Sequence, residues 1–206
     1  MSGVDVYVAV ALGVGLAAAS GFCVFIPPFL YGLATRFDLN PAAFAGSDMQ
    51  AWMASDVGLT VLGAAVLCEL LAYYIPWLDN LLDTIASPAA VLGGVVLMSS
   101  SLGELDPVLR WATSIIVGGT TSGTVQVTTV GIRALSTAST GGLGNPIVST
   151  VEAGACLVCT VLALLLPLLA MALVVAGLVV GGRWLVRRRA QKGTDGAALV
   201  PINPQA

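Results

Sequence analysis

Few residues in this chain carry charge, and three of its carboxylates stand where a carboxylate is costly or paired. Glu69 lies about twelve residues into an apolar run that starts near Val57. At that depth of a membrane-spanning helix a carboxylate costs roughly 2.5–3.5 kcal/mol on insertion scales, so by default it marks a functional position. Asp79 and Asp83 are four apart, which on a helix puts both carboxylates on one face, able to hold a cation or pair with an arginine. The plainer account of that pair is an interfacial cap after Pro76, with Trp77 anchoring at headgroup level. Arg133 and Glu152 flank a Gly/Pro-rich stretch in which Asn145 precedes Pro146. A buried arginine needs an acidic partner, and Glu69 or Glu152 supplies one across a bundle. Gln126 sits among Thr120, Thr121, Ser122, Thr124, Thr128 and Thr129, with Gly118, Gly119 and Gly123 nearby. That composition suits either close helix packing or the lining of a polar path.

Metal and redox chemistry find little support. With no histidine, the commonest metal ligand and the usual neutral-pH proton shuttle are absent. Cys156 and Cys159 form Cys-x-x-Cys in a Leu-rich run, but two thiols make only half a tetrahedral zinc site. With Cys23 and Cys68 they read as small apolar packing residues, and no cofactor or metal is expected.

The elements that position these residues are read from hydropathy. Of 206 residues, 57% are apolar and 9% charged, against about 25% charged in a soluble domain, and mean hydropathy is +0.96. Uncharged stretches approach or exceed the roughly 18–20 residues that span hydrocarbon. The fold class is therefore all-α, a polytopic transmembrane helical bundle of about five spans near 6–35, 57–78, 84–103, 111–132 and 153–182. Residues 1–190 form one transmembrane domain, and 191–206 read as a disordered cytoplasmic tail. Residues 36–56 read as a moderately polar loop. The first run carries Asp5 and no basic leader, and it continues past Ala17, Ala18 and Ala19, so it reads as a retained span.

Two stretches interrupt the spans, implying discontinuous or re-entrant helices. The first contains Ser20, Gly21, Pro27 and Pro28, the second Ser139, Gly141, Gly142 and Pro146. Tandem prolines break a helix, which hydrocarbon tolerates only where protein or a wet cavity satisfies the freed carbonyls. Leu16, Ala19, Ser20 and Pro27 share one offset with Leu135, Ala138, Ser139 and Pro146. This points to an internal repeat of the kind that brings half-helices together at mid-membrane.

Arg183, Arg187, Arg188, Arg189 and Lys192 follow the last span and place the C-terminus in the cytoplasm, while anionic lipid attraction is a secondary role for them. Membrane lipids are the expected surroundings, nothing points to nucleic acid, and a homo-oligomer stays open.

Three ordered stretches carry a family likeness: Ala18-Ala19-Ser20-Gly21-Phe22 with Pro27-Pro28, the segment from Glu69 to Asp83 ending Asp-Asn-Leu-Leu-Asp, and the run from Arg133 to Ser149 with Glu152. Over residues 5–182 the chain resembles the bacterial membrane family called domain of unknown function 4126. The resemblance implies a bacterial inner (plasma) membrane location and no known activity. Relatives often have a basic residue at the position of Cys23 and charges near Tyr73 and Tyr74. The residues favour a carrier or channel for a small solute, proton or cation, with Glu69, Asp79, Asp83, Gln126, Arg133, Asn145 and Glu152 at a mid-membrane site between the two breaks. An intramembrane enzyme acting on lipid or isoprenoid phosphates and a non-catalytic assembly or scaffold protein are the alternatives, with an enzyme less favoured than a non-enzyme.

Overall fold

Prolines open half of the helices, because the N–H that proline lacks has no intrahelical acceptor in a first turn. In the computed structural model Pro27 and Pro28 stand in the first turn of α2 (Ile26–Arg36), α5 (Pro76–Ser101) and α6 (Pro107–Thr113) start on proline, and α8 (Asn145–Leu165) has Pro146 as its second residue. α9 (Pro167–Ala197) starts on proline, after a break at Leu166. Side-chain caps start others. Ser47 accepts from the Gln50 N–H at α3 (Asp48–Ala54), Ser55 from the Gly58 N–H at α4 (Asp56–Ala72), and Asp106 from Val108 at α6. The remaining helices are α1 (Gly3–Ser20) and α7 (Thr120–Thr140), the latter joined to α6 by a π-helical turn at Ser114–Gly119.

The structure describes the backbone of residues 3–39 and 47–197, and the side chains of those stretches apart from 3, 76–84, 184–186 and 188–197. All regular structure among the described residues is helical. Residues 1–171 form one compact unit, which holds every site residue discussed below, and residues 172–206 form a second.

Several boundaries differ from the sequence-based expectation. The tandem prolines start α2, so the first interruption is the short segment Gly21–Phe25 ahead of them. The stretch read as a loop over 36–56 contains α3. α5 begins at Pro76, which places Asp79 and Asp83 on its first turns rather than between spans. α7 runs on to Thr140 because Ser139 and Thr140 return their hydroxyls to the carbonyls of Leu135 and Ser136, leaving helical backbone undisturbed. It ends at Gly141 and Gly142, whose φ angles of 65° and 91° suit glycine. α9 continues to Ala197, past the start expected for the tail, and 198–206 lie outside the described residues.

Polarity runs from the inside outward. Ser20, Ser114, Ser122, Ser149 and Thr160 are wholly buried. Leu67, Leu71, Leu92, Ile115, Ile116, Val127, Leu135, Val158 and Leu165 are each more than half exposed. Among the described residues α8 is the one helix both long and apolar enough to cross a membrane, and α3 with α4 passes as a pair bent by 71°. The apolar stretches Val4–Ser20, Ile85–Ser101 and Pro167–Arg183 are shorter.

α1 packs most extensively on α5 and then on α8, while α5 lies against the π turn and α7. Glycines set these crossings. A Cβ on Gly118 would stand 2.6 Å from the Gly94 carbonyl oxygen and 2.8 Å from Met98 Cβ. Small residues of this kind let helix backbones approach closely. Gly118→Val is expected to lower the thermal midpoint of the detergent-purified protein by several degrees, because its neighbour is backbone that cannot turn away. Gly154→Val, with nothing within 4 Å of its Cβ, is the matched control and is expected to leave the midpoint unchanged.

Candidate functional site

The segment Gly21–Phe25 leaves backbone amides just ahead of α2 without intrahelical acceptors. Glu69, on the last turn of α4, fills that need. One carboxylate oxygen accepts from the Val24 N–H at 2.7 Å and the other from the Phe25 N–H at 3.1 Å. The charge is stabilised by both hydrogen bonds and by the positive end of the helix dipole. Glu69 is buried although the rest of α4 presents mostly leucine, valine and alanine. Its burial on an apolar helix made it visible in the sequence; its use as a cap for a helix more than forty residues earlier was not.

Tyr73 stands one turn after Glu69 on the same face. Its hydroxyl lies 3.3 Å from the Cys23 thiol, and its ring carries the Arg133 guanidinium at 5.5 Å from the centroid. Arg133, on α7, donates through Nε to Glu152 of α8 at 2.8 Å, with Nη2 reaching the same oxygen. Both side chains are less than a tenth exposed. Arg133 therefore takes Glu152 as its hydrogen-bonded partner, the second of the two acids weighed from the sequence, and also lines the cavity with Glu69.

A cavity of about 20 Å³, room for one water, lies among these groups. Its walls are Phe22 and Val24 from the first interruption, Glu69 and Tyr73, Ala86 of α5, and Gln126, Thr129 and Arg133 of α7. Gln126 donates weakly through its nitrogen to Ser87 at 3.4 Å. Ser20 ties α1 to α5 through the Ala90 carbonyl at 3.2 Å.

Three expected site residues, Glu69, Gln126 and Arg133, thus meet at one cavity, and Glu152 stands behind Arg133. Asn145 is buried elsewhere, exchanging hydrogen bonds with Thr137 across the second interruption at 3.0 and 3.3 Å. The side chains of Asp79 and Asp83 lie outside the described residues. Tyr73, Phe22 and Val24 were not anticipated. The i, i+4 spacing of Glu69 and Tyr73 was the available signal for the first.

The two interruptions correspond in register. α8 begins at Asn145, 119 positions after Ile26 opens α2, and each helix has proline as its second residue. Their settings differ. Gly21 is buried, with Ser122 O and Val125 Cβ both 2.6 Å from where its Cβ would be, whereas Gly141 and Leu143 are exposed. No residue of 139–146 is among the cavity's walls, and Ser139 and Gly141 are exposed where α7 ends.

No curated protein and no solved structure matches the chain. A family profile described as Domain of unknown function (DUF4126) matches residues 10–188, which include every residue of the cavity and the Arg133–Glu152 pair. The chain belongs to the DUF4126 family, the domain of unknown function that its three motifs resemble.

Proposed function

We propose that the protein is a multi-pass membrane carrier or channel for a small solute or ion, with its site at the cavity beside the first interruption and with about five crossings. The observation that carries the reading is a buried acid, arginine and amide around one small cavity, inside helices whose outer faces are apolar. Intramembrane charges of this kind mark solute or ion pathways, because their insertion cost is not repaid by packing. The outward leucines and valines suit lipid. A short cluster of arginines after the last apolar stretch suits a cytoplasmic C-terminus in a bacterial inner membrane. Irregular backbone at Gly21–Phe25 is tolerated at membrane depth because it is buried in protein and capped by Glu69.

Purified protein in liposomes tests the reading. Flux of a small inorganic ion or polar solute is expected, and Gln126→Leu, which removes the cavity's amide, is expected to lower it at least tenfold. Leu135→Ala, on the outer face of α7, is expected to leave it unchanged. Flux indifferent to Gln126→Leu would place the site elsewhere.

A further inference from the structure

We infer that this cavity takes a small monovalent anion together with a proton, the proton carried on Glu69, whose carboxylate otherwise occupies the anion's place. The inference rests on the transport reading above and names its substrate class.

The groups around the cavity are donors. They comprise the N–H of Val24 and that of its neighbour Phe25, both held by Glu69, the guanidinium of Arg133, the side-chain N–H groups of Gln126, one of them given to Ser87, and the hydroxyl of Tyr73. Such a set fits an anion, and the anion it holds is the protein's own. Gln126 is nine-tenths buried on the cavity wall, with its nitrogen donating to Ser87 at 3.4 Å. The free room, about 20 Å³, holds one water, so a larger occupant has to take the place of the Glu69 carboxyl. A carboxyl that turns aside adds its own volume, which brings the space to the scale of a halide or a small planar oxyanion.

Charge fixes the coupling. Among the described side chains Glu69, Arg133 and Glu152 together carry one negative charge in a buried cluster, partly offset by the roughly +0.5 charge at the start of α2. A second anion beside ionised Glu69 would raise that to two, in surroundings where uncompensated charge is expensive. Protonating Glu69 as the anion enters restores one. The buried charge is then the same in the empty and loaded states, and one proton accompanies each anion. The protonated carboxyl also gives up the two N–H groups that the anion needs. A metal cation is the poorer fit, since Arg133 lines the same cavity and both Glu69 oxygens already accept from backbone. Among the described side chains the titratable and charged groups near Glu69 are Arg133 of α7, Tyr73 at the end of α4, Cys23 of the interruption and Cys156 of α8, with Glu152 of α8 behind Arg133. α5 contributes Ala86 and, behind Gln126, Ser87 among its described side chains.

The test uses full-length protein in liposomes with a pH dye inside and an inward chloride or nitrate gradient. Wild-type vesicles are expected to acidify as the anion enters, with one proton per anion. Glu69→Gln vesicles are expected to pass the anion without acidifying. Anion entry that stays proton-coupled in Glu69→Gln would overturn the role of Glu69. Wild-type flux of sodium, potassium or a neutral solute with none of either anion would overturn the inference and leave the transport reading standing. No flux of any of these would overturn both. Binding gives an independent readout in detergent. Nitrate at 100 mM is expected to raise the thermal midpoint of wild type more at pH 5 than at pH 8, and that of Glu69→Gln equally at both. A nitrate shift absent at pH 5 in wild type overturns the inference even if the variant does not fold.

Discussion

Arg133→Met is expected to cost about 3–5 kcal/mol of stability, because it leaves the Glu152 carboxylate buried with its cation gone. Glu152 is 5% exposed and Arg133 7%, so water cannot replace the lost partner without opening the packing of α7 on α8. The guanidinium also rests on the Tyr73 ring at 5.5 Å, a contact worth roughly 0.5–2 kcal/mol, which methionine keeps only in part. Glu152→Gln is expected to cost less than Arg133→Met, since an amide oxygen can still accept from the guanidinium while the unmatched positive charge lies near Glu69. The double variant Arg133→Met with Glu152→Met is the decisive one. If the pair serves to hold α7 on α8, it regains most of the stability lost by Arg133→Met, because replacing both members of a buried pair by apolar groups is often neutral. Equilibrium unfolding in mixed micelles reads all three. A double variant as unstable as Arg133→Met would show that the arginine acts through the cavity rather than through Glu152.

What the sequence made legible follows from cost. Glu69, Gln126 and Arg133 stand out because a charge or amide in an apolar run is expensive, so each is conspicuous wherever the chain later places it. Their convergence on one cavity was not legible, since Glu69 and Arg133 are separated by more than sixty residues and no pattern in either run names the other. Proline misled in a specific way. Read as helix breakers, Pro27 and Pro28 seemed to be the interruption itself, yet a missing N–H costs nothing in a first turn, and they begin α2. The interruption is the glycine-led segment before them, where Gly21 is needed because a side chain would meet Ser122 and Val125. Hydroxyls misled in the opposite sense. Ser136 to Thr140 read as loop by composition, but Ser139 and Thr140 bond to carbonyls a turn earlier and the helix continues. The shared offset of the two interruptions is reproduced in the starts of α2 and α8, while the different burial of the two could not be read from residues that match. Aromatic residues such as Phe22 and Tyr73 give no warning at all, because an aromatic in an apolar helix is ordinary until its neighbours are known.

Glu69→Ala is expected to loosen the start of α2 without unfolding α4. The substitution removes two charge-assisted hydrogen bonds and leaves the Val24 amide buried and unsatisfied, at about 1–3 kcal/mol, with a smaller cost at the part-buried Phe25. On α4 itself alanine is the better helix former, so the loss falls on the interruption. Hydrogen exchange measured by mass spectrometry is expected to rise at least tenfold in peptides covering residues 21–30 and to stay unchanged over 56–68. Glu69→Gln keeps one acceptor oxygen and is expected to fall between wild type and Glu69→Ala, which is why it suits transport measurements where alanine does not. The ordering also separates two roles for the carboxylate. If Glu69 were only a structural cap, the loss of activity across glutamine and alanine would follow the exchange rates. If its proton is part of the transport cycle, Glu69→Gln changes the coupling while the interruption remains largely protected, and the two readouts part.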